Sequence, residues 1–227
     1  MRHSAISKKS GISVKRNDFI YDLETYPNCF TATLISVMTG EYWVFEISDR
    51  RNDLSSLLRF LWWMAQTPNL RMVGFNNEGF DYPIIHHIMQ HGEQVTVESI
   101  YQKAQSIIFG ERFASIVWEG DRFIEQVDLF KIHHFDNMAK STSLKVLEFN
   151  MQSDSIEDLP FPPGTRLDYS QMGTVREYNL HDVLKTLEFY NYTLEAIAFR
   201  EELSAKYGRN FINFNDTKIG KEFFIME

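Results

Sequence analysis

The chain has 227 residues, 44% of them hydrophobic and 15% aromatic, and its formal net charge is −8 at pH 7. These values predict one globular domain with a buried core, and they argue against a protein that wraps duplex DNA through charge alone. The single cysteine, Cys29, excludes a disulfide framework, and the apolar runs are too short to span a bilayer, so we expect no membrane contact.

The first 47 residues are predicted to form a basic arm followed by three strands. Residues 1–17 contain several Lys and Arg without an apolar stretch, which predicts a flexible arm and not a signal peptide. Alternating and β-branched residues then predict an antiparallel meander, with a turn at Thr39-Gly40. The three predicted strands cover residues 19–26, 30–38 and 42–47.

The remainder mixes helices with two further strands. Asp53 is predicted to cap a helix over 54–66 that ends before Pro68, and the prolines of 159–164 predict a loop. Strands are predicted at 71–75 and 123–129, and helices at 82–91, 97–109, 143–150 and 173–207, the last as one helix or two. This order predicts an α/β chain with a mixed sheet.

Two acids on the first strand pose the main functional question. Asp22 and Glu24 are separated by one residue, so their side chains lie side by side on one face of the strand. Like charges at this separation repel unless a cation lies between them. The pair is therefore either exposed and without function, or it binds a metal ion.

A second candidate segment is VGFNNEGFDYPII, residues 73–85. Its Asp81 precedes Tyr82-Pro83 at the start of a predicted helix, where Asp most often serves as an N-cap. Alternatively, Asp81 is a third acid beside the first strand, and Asn77 and Phe80 face a bound substrate.

A third segment, YNLHDVLKT, places Tyr178 and Asp182 four residues apart on a predicted helix, so they share a face. A surface pair on an amphipathic helix is one interpretation, and a part of the same site is the other. Asp128, at the end of the fifth predicted strand, is either a further acid near that site or a strand-end cap.

Other metal-ligand patterns are weaker. His87 and His91 have the spacing of a zinc helix, but the Glu that follows the first His in metalloproteases is missing. His133 and His134 have no Cys or acid at ligand spacing, and Cys29 lies in a strand-like run that predicts a core position.

Taken in order, D-x-E at Asp22 and Glu24, N-x-x-F-D ending at Asp81, and Y-x-x-x-D ending at Asp182 resemble the DEDDy 3′–5′ exonucleases. The chain is most similar to the proofreading exonuclease domain of family B DNA polymerases, especially those of phages. The resemblance implies a ribonuclease-H-like (DnaQ-like) fold over 18–207, with a mixed central sheet flanked by helices. Residues 208–227, with DTKIGKEFF, resemble the start of a link to a polymerase domain, although nothing like a polymerase palm follows.

The same resemblance implies roles for eight residues. Two divalent ions, Mg²⁺ or Mn²⁺, would be held by the four acids, and Tyr178 would orient the attacking water. Thr25, Asn77 and Phe80 would hold the terminal nucleotides. The four implied metal ligands are Asp22, Glu24, Asp81 and Asp182.

The implied substrate is the 3′ end of single-stranded DNA, with RNA also open, in the cytoplasm of a bacterial or phage-infected cell. Lys145 and Arg166 are candidates for a basic residue near the scissile phosphate. The alternatives are a free-standing 3′–5′ exoribonuclease, a fragment of a longer polymerase, and a nucleic-acid-binding module that has lost catalysis.

Overall fold

The structure is a computed structural model that describes residues 17–111, 114–135, 137, 142–151 and 159–226. The predicted basic arm therefore lies outside the described residues, except for its last residue. None of the helices in the described ranges is both long and apolar enough to cross a membrane.

A five-stranded mixed sheet forms the centre of the fold, in the order β3-β2-β1-β4-β5. The neighbours β1, β2 and β3 are antiparallel, whereas β1, β4 and β5 are parallel. The strands are β1 Asn17–Tyr26, β2 Cys29–Ser36, β3 Tyr42–Ser48, β4 Leu70–Gly74 and β5 Glu125–Asp128. The predicted mixed α/β architecture is confirmed.

The described residues form seven α-helices. Two short 3₁₀ turns, Gly92–Gln94 and Glu119–Asp121, also occur among the described residues. The helices are α1 Leu54–Gln66, α2 Asp81–His91, α3 Val97–Phe109, α4 Leu129–Ile132, α5 Leu144–Asn150, α6 Tyr169–Tyr207 and α7 Asp216–Met226.

The alternation along β1 divides the core into two layers. Phe19, Tyr21 and Leu23 pack with α1, α2 and α3 on one face of the sheet. Ile20 packs with α4, α5 and α6 on the other face. Because side chains alternate along a strand, Asp22 and Glu24 lie on the α6 face.

The two ladders of β1 have different lengths. The pairing with β2 continues from Phe19 to Tyr26, whereas the parallel pairing with β4 ends at Ile20. In the described sheet, the second half of β1 is therefore bordered by a strand on one side only. This half carries both acids, and the chain after β4 turns away beside it towards α2.

Helix α6 is longer and more regular than predicted. It begins at Tyr169, four residues before the predicted start at Gly173, and continues as one helix of 39 residues. Asp168 and Gln171 form a capping box at its start, and Gly208 closes it in the left-handed conformation at φ 63°.

The predicted N-cap position of Asp53 is confirmed. Asp53 occupies the N-cap position of α1, but its carboxylate makes no capping hydrogen bond. It accepts hydrogen bonds from the Glu46 backbone N–H at 3.0 Å and from Arg51 Nε at 2.6 Å, while Asn52 accepts from the Leu54 N–H.

The segment after α6 packs into the body of the domain. Phe211 is fully buried, and the Asn213 side chain accepts from the Asp128 N–H at 2.8 Å and donates to the Gln126 carbonyl at 2.9 Å. Arg200 of α6 donates to the Phe214 carbonyl at 2.7 Å. The boundary predicted at residue 208 is thus not accompanied by a loss of packing, and a link to a further domain stays a prediction.

Candidate metal centre

Three of the predicted acids converge between β1 and α6. Asp22, Glu24 and Asp182 each offer a carboxylate oxygen, and these oxygens lie within 4.8 Å of one another. In the described part of the chain, this is the only group of three or more potential His, Cys, Asp or Glu ligands. Oxygen ligands contact Mg²⁺ or Ca²⁺ at about 2.0 to 2.6 Å, so a shared cation fits between oxygens at this separation.

The fourth predicted acid, Asp81, joins the cluster from α2. It is the first residue of the helix, and Phe80 occupies the N-cap position, so the N-cap interpretation of Asp81 is not what the structure shows. Its carboxylate is not one of the three whose oxygens lie within 4.8 Å of one another, but its charge raises the pKa of Asp22 and of Glu24. Burial raises the pKa of Asp81 itself to about 8, against the opposing effect of its own backbone N–H.

Burial and mutual repulsion dominate the electrostatics of the cluster. The pKa of Asp22 lies well above its ordinary value, first because of burial and then because of the charges of Asp81, Asp182 and Glu24. The pKa of Glu24 is raised for the same reasons. All four carboxylates are therefore ionised together at neutral pH only if a cation neutralises them.

Tyr178 lies one helical turn before Asp182 and belongs to the same cluster. Burial, followed by the charges of Asp182 and Glu24, raises its pKa far above the ordinary value, and its hydroxyl is hydrogen-bonded to Asp182. The phenol is consequently protonated at neutral pH. A half-buried Tyr178 in contact with the acids is not the surface pair that the spacing alone also allowed.

Asn179 is a site residue that the sequence did not reveal. It is fully buried, and its Nδ2 donates to Asp22 Oδ2 at 2.8 Å. Its Oδ1 accepts from the Thr33 hydroxyl at 2.6 Å. The signal in the sequence is a polar residue on the buried stripe of α6 between Val175 and Val183.

Of the three residues predicted to bind substrate, two are half-buried and one is fully buried. Phe80 is half-buried against the core beneath α2, and Thr25 is half-buried on the face of β1 opposite Asp22 and Glu24. Asn77 is fully buried, and its Nδ2 donates to Gln126 Oε1 at 2.9 Å. In this structure Asn77 is turned into the protein, which differs from the expectation that it contacts the terminal nucleotide.

A tight contact explains the direction of the Asn77 side chain. A Cβ added to Gly74, at the end of β4, would lie 2.7 Å from Asn77 Cβ. Such a separation is shorter than real Cβ contacts, so the glycine makes room for Asn77 to fold back against the sheet. Asn77 thereby supports the loop that delivers Asp81.

Asp128 fulfils both of the roles considered for it. Its carboxylate accepts the Phe130 N–H at the start of α4 at 3.0 Å, which makes it a cap. It also accepts the backbone N–H groups of Asn76 at 3.0 Å and Glu78 at 3.2 Å, so it holds the loop before Asp81. Burial raises the pKa of Asp128 to about 7.

The basic candidates lie at the periphery. Arg166 pairs with Asp49 at 3.0 Å, and its side chain is 70% exposed. Lys145 is exposed on α5, which packs against α6. A role for Arg166 or Lys145 at the scissile phosphate stays a prediction.

Neither the histidines nor the cysteine forms a further group of three metal ligands among the described residues. The His87 and His91 rings lie 4.2 Å apart, and no third metal ligand accompanies them among the described residues. His133 Nε2 is hydrogen-bonded to the Thr193 hydroxyl at 2.9 Å. Cys29 is fully buried, which confirms its predicted core position.

A cavity lies elsewhere in the fold. About 740 Å³ of space opens at the start of the parallel strands, where Asp18, Leu70 and Glu125 contribute to its lining. The acid cluster lies on the second half of β1, towards the other end of the sheet. We therefore base the functional assignment on the chemistry of the acids and not on cavity size.

The raised acid pKa values predict a pH-dependent stability of the metal-free protein. Asp81 in the folded chain, with a pKa of about 8, retains a proton that the unfolded chain has already released, so the free energy of unfolding falls as the pH rises towards 8. Histidines with lowered pKa values act in the opposite direction, but mainly below about pH 6.5. In EDTA, we expect the Tm to decrease between pH 6.5 and 8.5.

Thermal unfolding across this pH range, with EDTA and with saturating Mg²⁺, measures the effect. Mg²⁺ should reduce the decrease, because it binds the ionised carboxylates. The variant Asp81→Asn should show a shallower pH dependence in EDTA. A wild-type Tm that does not fall in EDTA would contradict the burial of uncompensated acids.

Comparisons with known proteins add a distant structural likeness. No protein-family model and no curated protein matches the chain. Similar solved structures include E. coli exonuclease I with a dT13 oligonucleotide, at 14% identity and a TM-score of 0.33, covering 78% of this chain and 40% of that one. The complex of the same enzyme with dA16 is 14% identical, has a TM-score of 0.36, and covers 78% of this chain and 43% of that one. An apo exonuclease I is 15% identical, has a TM-score of 0.35, and covers 83% of this chain and 46% of that one.

This chain thus spans less than half of each of these three exonuclease I chains. At TM-scores below 0.5, the likeness decides neither the fold nor the activity, and both rest on the geometry of this chain.

Proposed function

We propose that the chain is a metal-dependent 3′–5′ exonuclease that hydrolyses phosphodiester bonds at the 3′ end of single-stranded or frayed DNA. The observation that carries the proposal is the convergence of Asp22, Glu24 and Asp182, with ligand oxygens within 4.8 Å. Asp81 and Tyr178 join these acids from two separate helices. The sheet order β3-β2-β1-β4-β5, with helices on both faces, supports a ribonuclease-H-like (DnaQ-like) fold.

The acids would hold two divalent ions. The donor set fits hard cations, because all four candidate ligands are carboxylates and neither Cys nor His takes part. When bound, Mg²⁺ or Mn²⁺ would lower the pKa of water and neutralise the charge that develops on the phosphate. The ligands are Asp22, Glu24, Asp81 and Asp182.

Tyr178 would orient the attacking water. Its raised pKa keeps the hydroxyl protonated at neutral pH, so it is a poor general base but a good hydrogen-bonding group. The hydrogen bond to Asp182 holds the hydroxyl beside the acids, where a water molecule would need to be aligned with the scissile phosphorus.

The open half of β1 would receive the end of a nucleic acid strand. Phe80 is half-buried next to Asp81, and the exposed part of its ring would stack on a base, which is a contact that tolerates any sequence. Thr25 would contact the terminal nucleotide from the other face of β1. Asn77 would act indirectly, by supporting the loop on which Phe80 and Asp81 lie.

We further propose that the chain is the proofreading exonuclease domain of a family B, phage-like DNA polymerase. This proposal rests on the order and spacing of the three motifs and on the DTKIGKEFF segment, whose helix α7 is present in the structure. The polymerase domain of such a protein would be the partner of this domain.

The test uses single-stranded DNA labelled at the 5′ end or the 3′ end, incubated with Mg²⁺, Mn²⁺ or EDTA. We expect mononucleotides to be released from the 3′ end, faster than from matched duplex ends, and only with a divalent metal. RNA of the same sequence establishes the sugar preference. The double variant Asp22→Asn/Asp182→Asn, purified in parallel, controls for contaminating nucleases.

Undiminished cleavage in EDTA, or release from the 5′ end, would overturn the proposal. Binding of single-stranded DNA without any cleavage would instead favour the catalytically silent module.

A further inference from the structure

A buried chain of two hydrogen bonds leads from β2 to the acid cluster. Thr33 of β2 is paired directly with Asp22 of β1, so both side chains stand on the sheet face beneath α6. Asn179 of α6 lies between them, with 2.6 Å from Thr33 Oγ1 to Asn179 Oδ1 and 2.8 Å from Asn179 Nδ2 to Asp22 Oδ2. Thr33 and Asn179 are both fully buried.

The charge of Asp22 determines the direction of both hydrogen bonds. An ionised carboxylate only accepts, so Asn179 must present its NH₂ group to Asp22. The amide oxygen of Asn179 then faces Thr33, whose hydroxyl must donate. Thr33 therefore anchors the amide of Asn179 in the orientation that Asp22 requires, although it touches none of the acids through these bonds.

We propose that Asn179 and Thr33 are positioning residues of the metal centre, which hold the Asp22 carboxylate in the orientation that brings it to Glu24 and Asp182. This inference rests on the proposed metal-dependent function of the same acids. Its physical reason is geometric: a carboxylate without a donor is free to rotate, whereas the N–H of Asn179 holds Asp22 in one orientation when the cation binds.

The expected size of the effect follows from comparable sites. Removal of a group that hydrogen-bonds a metal ligand typically weakens metal affinity or activity about 10- to 100-fold. Asn179→Ala removes the donor itself, so its loss of metal affinity should lie within this range. Thr33→Val keeps the shape of the side chain and removes the hydroxyl, so it should weaken affinity about 10-fold, at the lower end.

The neighbouring Thr31 provides a matched control. It lies two residues before Thr33 on the same strand, is fully buried, and pairs with Glu24. Its hydroxyl has no hydrogen-bond partner among the described residues. Thr31→Val and Thr33→Val are thus the same chemical change on one strand, and only the second breaks the link to Asn179.

The experiment measures Mn²⁺ binding by calorimetry in the absence of nucleic acid, together with the Tm of every variant in EDTA. We expect a weaker Kd for Thr33→Val and Asn179→Ala, recovery of most of the lost affinity in Thr33→Ser, and an unchanged Kd for Thr31→Val. The double variant Thr33→Val/Asn179→Ala should bind no more weakly than Asn179→Ala, because both changes break the same chain.

Wild-type Mn²⁺ affinity in both Thr33→Val and Asn179→Ala would overturn the positioning role. Equal weakening by Thr31→Val would also overturn it, since the effect would then reflect general packing beneath α6. A wild-type protein that binds no Mn²⁺ would remove the positioning role together with the metal centre. A protein that binds Mn²⁺ with the expected pattern but cleaves no nucleic acid would refute the proposed function alone.

Discussion

Asp22→Ala and Asp22→Asn should both lose exonuclease activity by several orders of magnitude. The charges of Asp81, Asp182 and Glu24 all raise the pKa of Asp22, so Asp22 interacts with each of the other acids. Its loss would therefore remove a ligand that either ion would use. The reaction is measured as single-turnover release of the 3′ nucleotide in Mg²⁺, beside a titration of Mn²⁺ affinity.

The two Asp22 variants should differ in stability. Ionisation of wild-type Asp22 is disfavoured by burial, so Asp22→Asn relieves repulsion and should raise the Tm in EDTA at pH 8. Its amide oxygen can still accept the hydrogen bond from Asn179. Asp22→Ala leaves that buried NH₂ without its acceptor, which costs about 1 to 3 kcal/mol and offsets the gain.

Cleavage at the wild-type rate by Asp22→Asn would show that Asp22 is not a ligand of the catalytic metal ions. A Tm of Asp22→Asn far below that of the wild type in EDTA would instead indicate that the carboxylate holds the fold together.

Tyr178→Phe is the second variant with a large expected effect, and it should slow the chemical step by about 10²-fold, near the lower end of the range for positioned proton-handling groups. The change keeps the ring, the packing of α6 and all four acids, and it removes one hydroxyl. Affinity for Mn²⁺ and for single-stranded DNA should be nearly unchanged, because the phenol is protonated and is not a ligand of either ion in the proposed site.

Single-turnover cleavage, with parallel Mn²⁺ and oligonucleotide titrations, separates Tyr178→Phe from Asp182→Asn. The latter should lose metal affinity as well as rate. Cleavage at the wild-type rate by Tyr178→Phe would make Tyr178 a packing residue, and a loss of metal binding would show that its bond to Asp182 serves the ligand geometry.

Local pattern predicted which of the acids share a face of one element, but not which residues support them. The alternation of β1 predicts that Asp22 and Glu24 share a face, and the four-residue spacing on α6 predicts that Asp182 and Tyr178 do so. Both expectations depend only on the geometry of one element. The structure brings these two elements together, as well as the start of α2.

The supports depend on contacts between distant parts of the chain. Asn179 meets Thr33 across 146 residues, and no local pattern indicates that a buried Asn will find a donor there. Asn77 was expected to face substrate because its motif resembles a known one. The direction of its side chain is instead set by the room above Gly74 and by Gln126 on β5.

The start of α6 was misplaced for a local reason. Gly173 has a low helix propensity and suggested a boundary, whereas Asp168 and Gln171 carry the capping-box pattern four residues earlier. The packing of the segment after residue 208 was missed because Asn213 reaches Asp128 across 85 residues.

The length of α6 has a consequence for how the acid cluster is ordered. A helix of 39 residues is about 60 Å long, and Tyr178, Asn179 and Asp182 lie within five consecutive positions near its beginning. Eight residues after Asp182, Tyr190 donates to Asp18 at 2.6 Å and anchors the same helix to the start of β1. The backbone at Tyr178, Asn179 and Asp182 is therefore ordered during folding, and its conformational entropy is lost at that stage. Ligand binding to these residues does not have to order a loop, which would weaken the affinity.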